Sequence, residues 1–348
     1  MTLAFGCLLF LAITTMKVNI TGFDEKYLSK DTTLSIKGLF VILVFLSHIK
    51  NYVDFSNILL DQYVINFLYA LGQLMVTMFL FYSGYGIYES IKKKGFAYVQ
   101  KMPVNRILKT FINFASAILL FWLCGLLMDK NYSLQRVLLS LSGWTSIGNS
   151  NWYMFAIFTL YIITYICFRV IRDRPSLSIF MITLCSLMYV YVMSKCQPDR
   201  FSNTYLCYAA GLWYSYFKEK IDLLIRKRPL FYYITFIVLI FAFLMLAPYR
   251  NQRLMMYNLV SILFCMIIVV ASMKISIHSH IIKWFGKYLF WIYILQRIPM
   301  NIMSYYGIFV SHPYVFMIMV FLITLMLSYC MDFILNKIRS REKVRRYA

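Results

Sequence analysis

The sequence predicts an all-α polytopic membrane protein, a transmembrane helical bundle of about ten core spans plus an additional N-terminal span. Hydrophobic residues make up 61% of the 348 residues, and the mean hydropathy is +0.70, which is more apolar surface than a soluble domain needs. The apolar segments also run continuously for roughly twenty residues, the length of a membrane-spanning helix, whereas strands of a membrane barrel would alternate over about ten.

Eleven apolar segments account for these spans. The first, 2–16, lacks the basic start and the small-residue cleavage site of a signal peptide, so we expect it to be retained as a span. The segment at 203–217 is short and must stand upright or be extended by its flanks. The core segments are 36–53, 64–88, 108–128, 151–169, 177–194, 203–217, 230–248, 255–273, 284–303 and 313–335.

The distribution of Lys and Arg orients the bundle. If the C-terminus is cytoplasmic and the connections alternate, 27 of the 35 basic residues fall inside and eight outside, as the positive-inside rule requires. The net charge of +22 is therefore spread between the spans, and we predict no nucleic-acid binding. The outside cations are Lys50, Lys130, Arg136, Lys195, Arg200, Arg250, Arg253 and Arg297.

The chain divides into three parts. Residues 1–30 form the N-terminal hydrophobic segment and a cytoplasmic connection, 31–336 the transmembrane domain, and 337–348 a basic cytoplasmic tail. The eight cysteines form no C-x-x-C pair, so we predict packing roles for them and no metal site. The sequence also lacks a G-x-S-x-G turn and a P-loop, which argues against hydrolase and ATPase chemistry.

Lys37 and His48 are the most informative polar residues. They lie eleven residues apart in an otherwise apolar run, so at about 100° per residue they share one helical face, with the imidazole roughly 16 Å deeper. Ionisable groups within a membrane usually face a cavity or a partner, and histidine is suited to accept a proton near neutral pH. The alternative for His48 is a packing role. The alignment favours a buried base below a surface cation, acting on a ligand that enters the bilayer.

Four stretches, in order, resemble the motifs of the acyltransferase-3 family of integral membrane O-acyltransferases. Lys37-x10-His48 resembles the family's Arg/Lys-x10-His signature, and 78–85 its phenylalanine-rich segment ending in Ser-Gly-Phe/Tyr. Asn151-Trp152-Tyr153 resembles the start of a middle helix, and 284–296 the late Gly-Lys block. Many members end this block with histidine where this chain has Gln296. Because an amide cannot titrate, His48 would carry more of the mechanism.

The resemblance implies a multi-pass plasma-membrane (inner-membrane) enzyme. It would transfer acetyl from cytoplasmic acetyl-CoA to a hydroxyl of a cell-envelope polysaccharide or glycolipid on the outer side. His48 would deprotonate that hydroxyl or carry the acyl group transiently, and both routes stay open. Arg106 and Lys109 resemble an Arg-x-x-Arg pair that holds the nucleotide end of the donor. Lys37 would assist them or would instead set the electrostatics of His48 from a distance.

Further polar and aromatic residues are candidates for binding the acceptor or the acyl oxygen. The alternative to a binding role for the stretch 83–85 is a small-residue contact between two helices. A helix cap and an interfacial anchor are the alternatives for Asn151 and Trp152, and a guanidinium that reaches the headgroups is the alternative for Arg297. The candidates are Ser83, Tyr85, Asn151, Trp152, Tyr293, Gln296 and Arg297.

Two other functional classes fit a protein with many spans. A glycan flippase or polymerase is the main alternative, although the chain shows no internal repeat of the kind that many transporters have. A membrane scaffold or sensor is the third, and it leaves His48 without a purpose. Binding of acyl-CoA by the purified protein would distinguish the acyltransferase hypothesis from both of these alternatives.

Overall fold

The computed structural model describes residues 1–55 and 59–347, with side chains described up to Ser340. The structure is almost entirely helical. Its α-helices are α1 (Thr2–Thr14), α2 (Lys30–Ile49), α3 (Leu59–Leu71), α4 (Leu74–Lys94), α5 (Phe96–Met102), α6 (Lys109–Leu127), α7 (Leu134–Ser142), α8 (Trp152–Val170), α9 (Pro175–Cys196), α10 (Cys207–Lys227), α11 (Pro229–Leu246), α12 (Leu254–Ser272), α13 (His280–Lys287), α14 (Leu289–Leu295), α15 (Arg297–Tyr305) and α16 (Pro313–Tyr347). A π-helical segment, Pro103–Leu108, joins α5 to α6, and short 3₁₀ turns lie at Asp199–Phe201 and Ala247–Tyr249.

Fewer of these helices qualify as membrane spans than the sequence predicts. Within the described residues, seven helices are long and apolar enough to cross a membrane, or eight if α3 and α4, which meet at 43°, count as one broken span. The multi-pass helical bundle is thus confirmed, whereas the count of about ten spans is not.

Two predicted spans have physical reasons for failing this test. The segment at 203–217 lies at the start of α10, whose second half carries Lys218, Glu219 and Asp222 and is too polar for hydrocarbon. The segment at 284–303 is not one helix, because it breaks into α13, α14 and α15. The middle piece, α14, is deeply buried in the protein, where an interrupted helix is tolerated at membrane depth.

The N-terminal region differs in two ways from the predicted all-α bundle with an additional N-terminal span. Helix α1 has 13 residues, which is short for a full span, and it packs against α2 and α3. Asp61 of α3 accepts a hydrogen bond from the Tyr314 hydroxyl at 2.6 Å and so ties α3 to α16. The fold is also not purely helical, since β1 (Met16–Val18) pairs antiparallel with β2 (Ile275–Ile277).

Two helix crossings are made by glycine pairs. Where α2 crosses α13, a Cβ atom on Gly38 would lie 1.8 Å from the Ile282 carbonyl oxygen, and one on Gly286 would lie 1.9 Å from that of Leu34. Gly84 and Gly211 make the corresponding contact between α4 and α10. Small residues allow such close approach of backbones in membrane proteins. The crossings fix α2 and α4, the helices that carry Lys37, His48 and Ser83.

The connections that the charge pattern assigns to one side lie together in space. The β1–β2 pair joins 17–37 to 274–287, two connections predicted inside. At the other end, Arg200 and Arg250, from two connections predicted outside, line one cavity, and Gln73 of the predicted span 64–88 donates from Nε2 to the Arg200 carbonyl at 3.0 Å. The packing is consistent with the predicted alternation, while the cytoplasmic position of the C-terminus stays a prediction.

Candidate active site

Helix α2 holds the two central residues of the site. It runs without interruption from Lys30 to Ile49, and the Ser29 side chain caps its start by accepting from the Thr32 backbone N–H. Because the helix is continuous, the predicted offset of roughly 16 Å between Lys37 and His48 holds. Both side chains are half-buried, and each lines a different cavity.

His48 lines the first cavity, which has a volume of about 460 Å³ and which we call the outer cavity. Its mouth is formed by connections predicted outside, at 199–203 and 250–251. The His48 Nδ1 atom is buried and has no hydrogen-bond partner in the described part of the chain. The other lining residues are Val44, Ser47, Tyr69, Gly72, Gln73, Met75, Val76, Trp152, Asp199, Arg200, Asn203, Arg250, Asn251, Tyr257 and Tyr293.

Lys37 lines the second cavity, the inner cavity, which has a volume of about 310 Å³. Arg106 lies in the same lining, with Ser83 and an aromatic wall that includes Tyr82 and Tyr153. The Lys37 Nζ atom lies 5.5 Å from the centroid of the Tyr82 ring. Within the described residues neither Lys37 nor Arg106 forms an ion pair with a carboxylate, so the inner cavity holds two uncompensated positive charges.

Tyr293 connects the two cavities. It belongs to α14 and lines both of them. Its ring centroid lies 6.5 Å from that of His48 and 5.3 Å from that of Tyr153, which lines the inner cavity. The two cavities therefore share a lining residue that lies beside the imidazole, and we call the Tyr293 ring their junction.

The predicted donor pair is separated in the structure. The π-helical segment brings Arg106 into the inner cavity, where its Nε donates to the Tyr98 hydroxyl at 2.9 Å. Lys109 is exposed and does not line the cavity. Sequence reasoning placed both on one α-helical face, but a π-helical turn holds more residues than an α-helical one, so residues three apart no longer stack.

Some of the predicted acceptor-binding residues line a cavity, and others contact only the surrounding structure. Ser83 lines the inner cavity, with its hydroxyl 3.0 Å from that of Tyr161, and Trp152 lines the outer cavity. Tyr85 lies outside both linings and packs beside Tyr214. Asn151 donates from Nδ2 to the Gly143 carbonyl at 3.0 Å, which anchors the 143–151 connection rather than facing either cavity.

Gln296 and Arg297 lie at the break between α14 and α15. Gln296 is fully buried; its Nε2 donates to the Tyr293 carbonyl at 2.9 Å, while its Oε1 has no partner in the described residues. Arg297 has an enclosed Nε without a described partner, and it is an electrostatic neighbour of both His48 and Tyr293. A guanidinium that simply reached the lipid headgroups would not be enclosed in this way.

Sequence reasoning missed the arginines at the outer mouth as site residues. Arg200 and Arg250 line the outer cavity although they come from separate connections. Gln73 helps to hold this mouth together, because its Oε1 accepts from Asn203 at 3.0 Å and its backbone N–H donates to the Tyr257 hydroxyl. The sequence does contain a signal for these two arginines. The positive-inside rule leaves few cations in the outer connections, so each cation found there is a candidate for a functional role.

The comparison with known families agrees with this architecture. A family model described as an acyltransferase domain matches residues 35–333, a range that includes His48, Arg106, Tyr293 and both cavities. No curated protein and no solved structure matches the chain. Since the family match covers most of the sequence and includes the Lys37-x10-His48 helix, this chain belongs to the acyltransferase-3 family of membrane acyltransferases.

Proposed function

We propose that the protein transfers acetyl from cytoplasmic acetyl-CoA to a hydroxyl of a cell-envelope polysaccharide or glycolipid, in the plasma membrane and with its C-terminus in the cytoplasm. The observation that carries this proposal is that Tyr293 lines both cavities and lies beside His48. One cavity contains unpaired cations for the donor, and the other contains the base. A flippase has no need of a base at the junction of two separate cavities.

The inner cavity suits the donor. Burying uncompensated cations is unfavourable unless an anion joins them, and the phosphates of coenzyme A supply such anions. Arg106 can contact a phosphate in bidentate geometry, while Lys37 acts as a point charge. The aromatic and aliphatic wall formed by Phe79, Tyr153 and Ile157 would then accompany the pantetheine arm towards Tyr293.

The outer cavity suits a sugar. Trp152, Tyr69 and Tyr257 offer flat apolar surfaces, and Asn203 and Asn251 add amide groups that hydrogen-bond to hydroxyls. A hydroxyl at the deep end of this cavity lies beside His48. The geometry thus supports binding of both substrates at once, which converts a bimolecular reaction into one between positioned groups.

This arrangement favours direct transfer. His48 takes the proton of the acceptor hydroxyl as the oxygen attacks the thioester carbonyl, and the tetrahedral adduct collapses as the carbon–sulfur bond breaks. The proton then passes from His48 to the leaving thiolate, so that the products are the acetyl ester and free coenzyme A. Tyr293 lines both cavities, and its role in this scheme is to position the reacting groups.

The decisive experiment uses the full chain in proteoliposomes, with envelope polymer on one side and [¹⁴C]acetyl-CoA on the other. We expect label in the polymer and release of coenzyme A thiol in equal amounts. Mass spectrometry of the envelope glycan from deletion and wild-type cells should show the loss of acetyl groups. Unchanged glycan together with no binding of acetyl-CoA by the purified protein would contradict the proposal.

Arg106 provides a separate test of donor binding. We expect Arg106→Gln to weaken acetyl-CoA binding by roughly tenfold or more, because a charge-assisted contact to phosphate is lost. The effect of Lys109→Gln should be smaller, since Lys109 lies outside the cavity lining. Isothermal titration with the purified protein measures both. Lys101→Gln, at an exposed cation of α5, is the matched control; an equal loss there would indicate only a general surface field.

A further inference from the structure

The outer cavity has an excess of positively charged side chains in and near its lining. Arg200 and Arg250 line it, Lys50 lies with its Nζ 3.0 Å from the centroid of the lining residue Tyr69, and Arg297 is an electrostatic neighbour of His48. These are four of the eight cations that the charge pattern assigns to the outer side. Two members of this scarce outer population therefore line the cavity, and the other two lie near its lining residues Tyr69 and His48.

No carboxylate among the described residues neutralises these cations. In the portion of the chain that the structure describes, none of the four forms an ion pair with a carboxylate. Asp199 is the acidic residue of the lining, so the cavity keeps an excess of positive charge. The Arg297 Nε atom is buried and unpartnered. Because enclosing positive charge without a counter-charge is unfavourable, a site of this kind is stabilised when an anion binds in it.

More than one cation lines the outer cavity. Arg200 and Arg250 come from separate connections and both belong to the lining, and the Arg250 Nη2 atom is 3.5 Å from the Tyr69 carbonyl oxygen. An extended chain with repeated negative charges would meet both arginines, whereas a single small ion would not need both.

We propose that the acceptor is an acidic envelope polymer, whose repeating unit carries a phosphodiester or a carboxylate beside the hydroxyl that is acylated. This inference deepens the proposed function and rests on it, because it takes the outer cavity as the acceptor site. Arg200 and Arg250 hold the anionic groups, the aromatic residues of the lining contact the sugar or polyol backbone, and the hydroxyl is brought to His48. A neutral polymer would supply no anionic partner for the two arginines, which form no ion pair with a carboxylate in the described residues.

Binding measurements test this without relying on acetyl transfer. The full chain in nanodiscs of zwitterionic lipid is titrated with an oligogalacturonate, a glycerol-phosphate oligomer and a neutral malto-oligosaccharide of similar length. We expect at least one acidic oligomer to bind about tenfold tighter than the neutral one, and its affinity to fall with added salt. The acidic oligomer that binds tighter identifies carboxylate or phosphate as the natural group. Equal affinity for all three oligomers overturns the proposal.

Variants locate the site. Arg200→Gln and Arg250→Gln should each weaken binding of the acidic oligomer by roughly five- to tenfold and leave binding of the neutral oligomer and of acetyl-CoA unchanged. Lys195→Gln removes an exposed outer cation that does not line the cavity, and it should have no effect. An equal loss in Lys195→Gln would assign the binding to the surface field and overturn the proposal.

A second source of anions is the membrane itself. Nanodiscs containing phosphatidylglycerol provide that comparison. If the acidic oligomer loses its binding there, an anionic lipid headgroup fills the site and the acceptor assignment is wrong; retained binding supports it. Acidic-oligomer binding without any donor binding would contradict the proposed function alone, so the two failures are distinguishable.

Discussion

Replacing His48 with alanine is expected to lower acetyl transfer by about 10² to 10⁴-fold, the usual contribution of a positioned general base. The variant loses the imidazole at the junction of the two cavities. Binding of acetyl-CoA should persist, because the cations proposed to hold it are Lys37, about three helical turns away on α2, and Arg106 of the π-helical segment. Rates measured by thiol release and binding measured by titration separate the two effects.

Two comparisons make this result specific. His312→Ala removes an exposed histidine from the connection before α16, and its activity should match that of the wild type. His48→Gln keeps a hydrogen-bonding side chain but cannot accept a proton, so it should be as inactive as His48→Ala. Wild-type transfer by a correctly folded His48→Gln protein would rule out proton transfer as the role of this residue.

Incubation with donor alone distinguishes the two chemical routes. If transfer is direct, the wild-type protein retains no covalent label after incubation with [¹⁴C]acetyl-CoA in the absence of acceptor. An acylated histidine would instead retain label that is lost in His48→Ala. The junction at Tyr293 favours the first result, because the proposed acceptor cavity and the proposed donor cavity share this residue beside His48.

The central pair could be predicted because helical periodicity is a local property. Lys37 and His48 belong to one uninterrupted helix, so their relative depth follows from their spacing alone. The same logic failed for Arg106 and Lys109, because the sequence gives no sign of the π-helical segment between Pro103 and Leu108. Because a π-helical turn contains more residues than an α-helical turn, it changes the direction in which the Lys109 side chain points relative to that of Arg106.

Other parts of the site depend on tertiary packing. Hydropathy alone cannot distinguish a continuous span at 284–303 from three short helices, since the breaks at Tyr288 and Gln296 occur without proline or glycine at the break. Arg200 and Arg250 are fifty residues apart in sequence and meet only because their connections fold over the same cavity. Such contacts leave no periodic signal in the sequence.

The glycine of the late Gly-Lys block illustrates a residue whose role becomes clear only in three dimensions. The resemblance singled out Gly286 without a physical reason for it. In the structure Gly286 and Gly38 bring the backbones of α13 and α2 together. Because α2 carries His48 and α13 leads directly into α14 with Tyr293, this crossing sets the spacing of the site.

We therefore expect Gly38→Ala and Gly286→Ala each to lower the thermal unfolding midpoint and the transfer rate. Alanine is favoured over glycine in a helix by about 1 kcal/mol, but the new methyl would lie 1.8 Å or 1.9 Å from a backbone carbonyl oxygen. A clash with backbone cannot be relieved by rotating a side chain, and overpacking of this kind costs about 1–3 kcal/mol or more. Gly6→Ala, within α1 and with open space around the added atom, is the control and should be at least as stable as the wild type.

The double variant gives the sharper result. Once the first methyl has forced α2 and α13 apart, the second meets less resistance, so the combined loss of stability should be smaller than the two single losses added together. Independent, additive losses would mean that the two glycines do not act at one crossing. Midpoints at or above that of the wild type in both single variants would show that the helices tolerate a wider separation, and the spacing of His48 from Tyr293 would then need another cause.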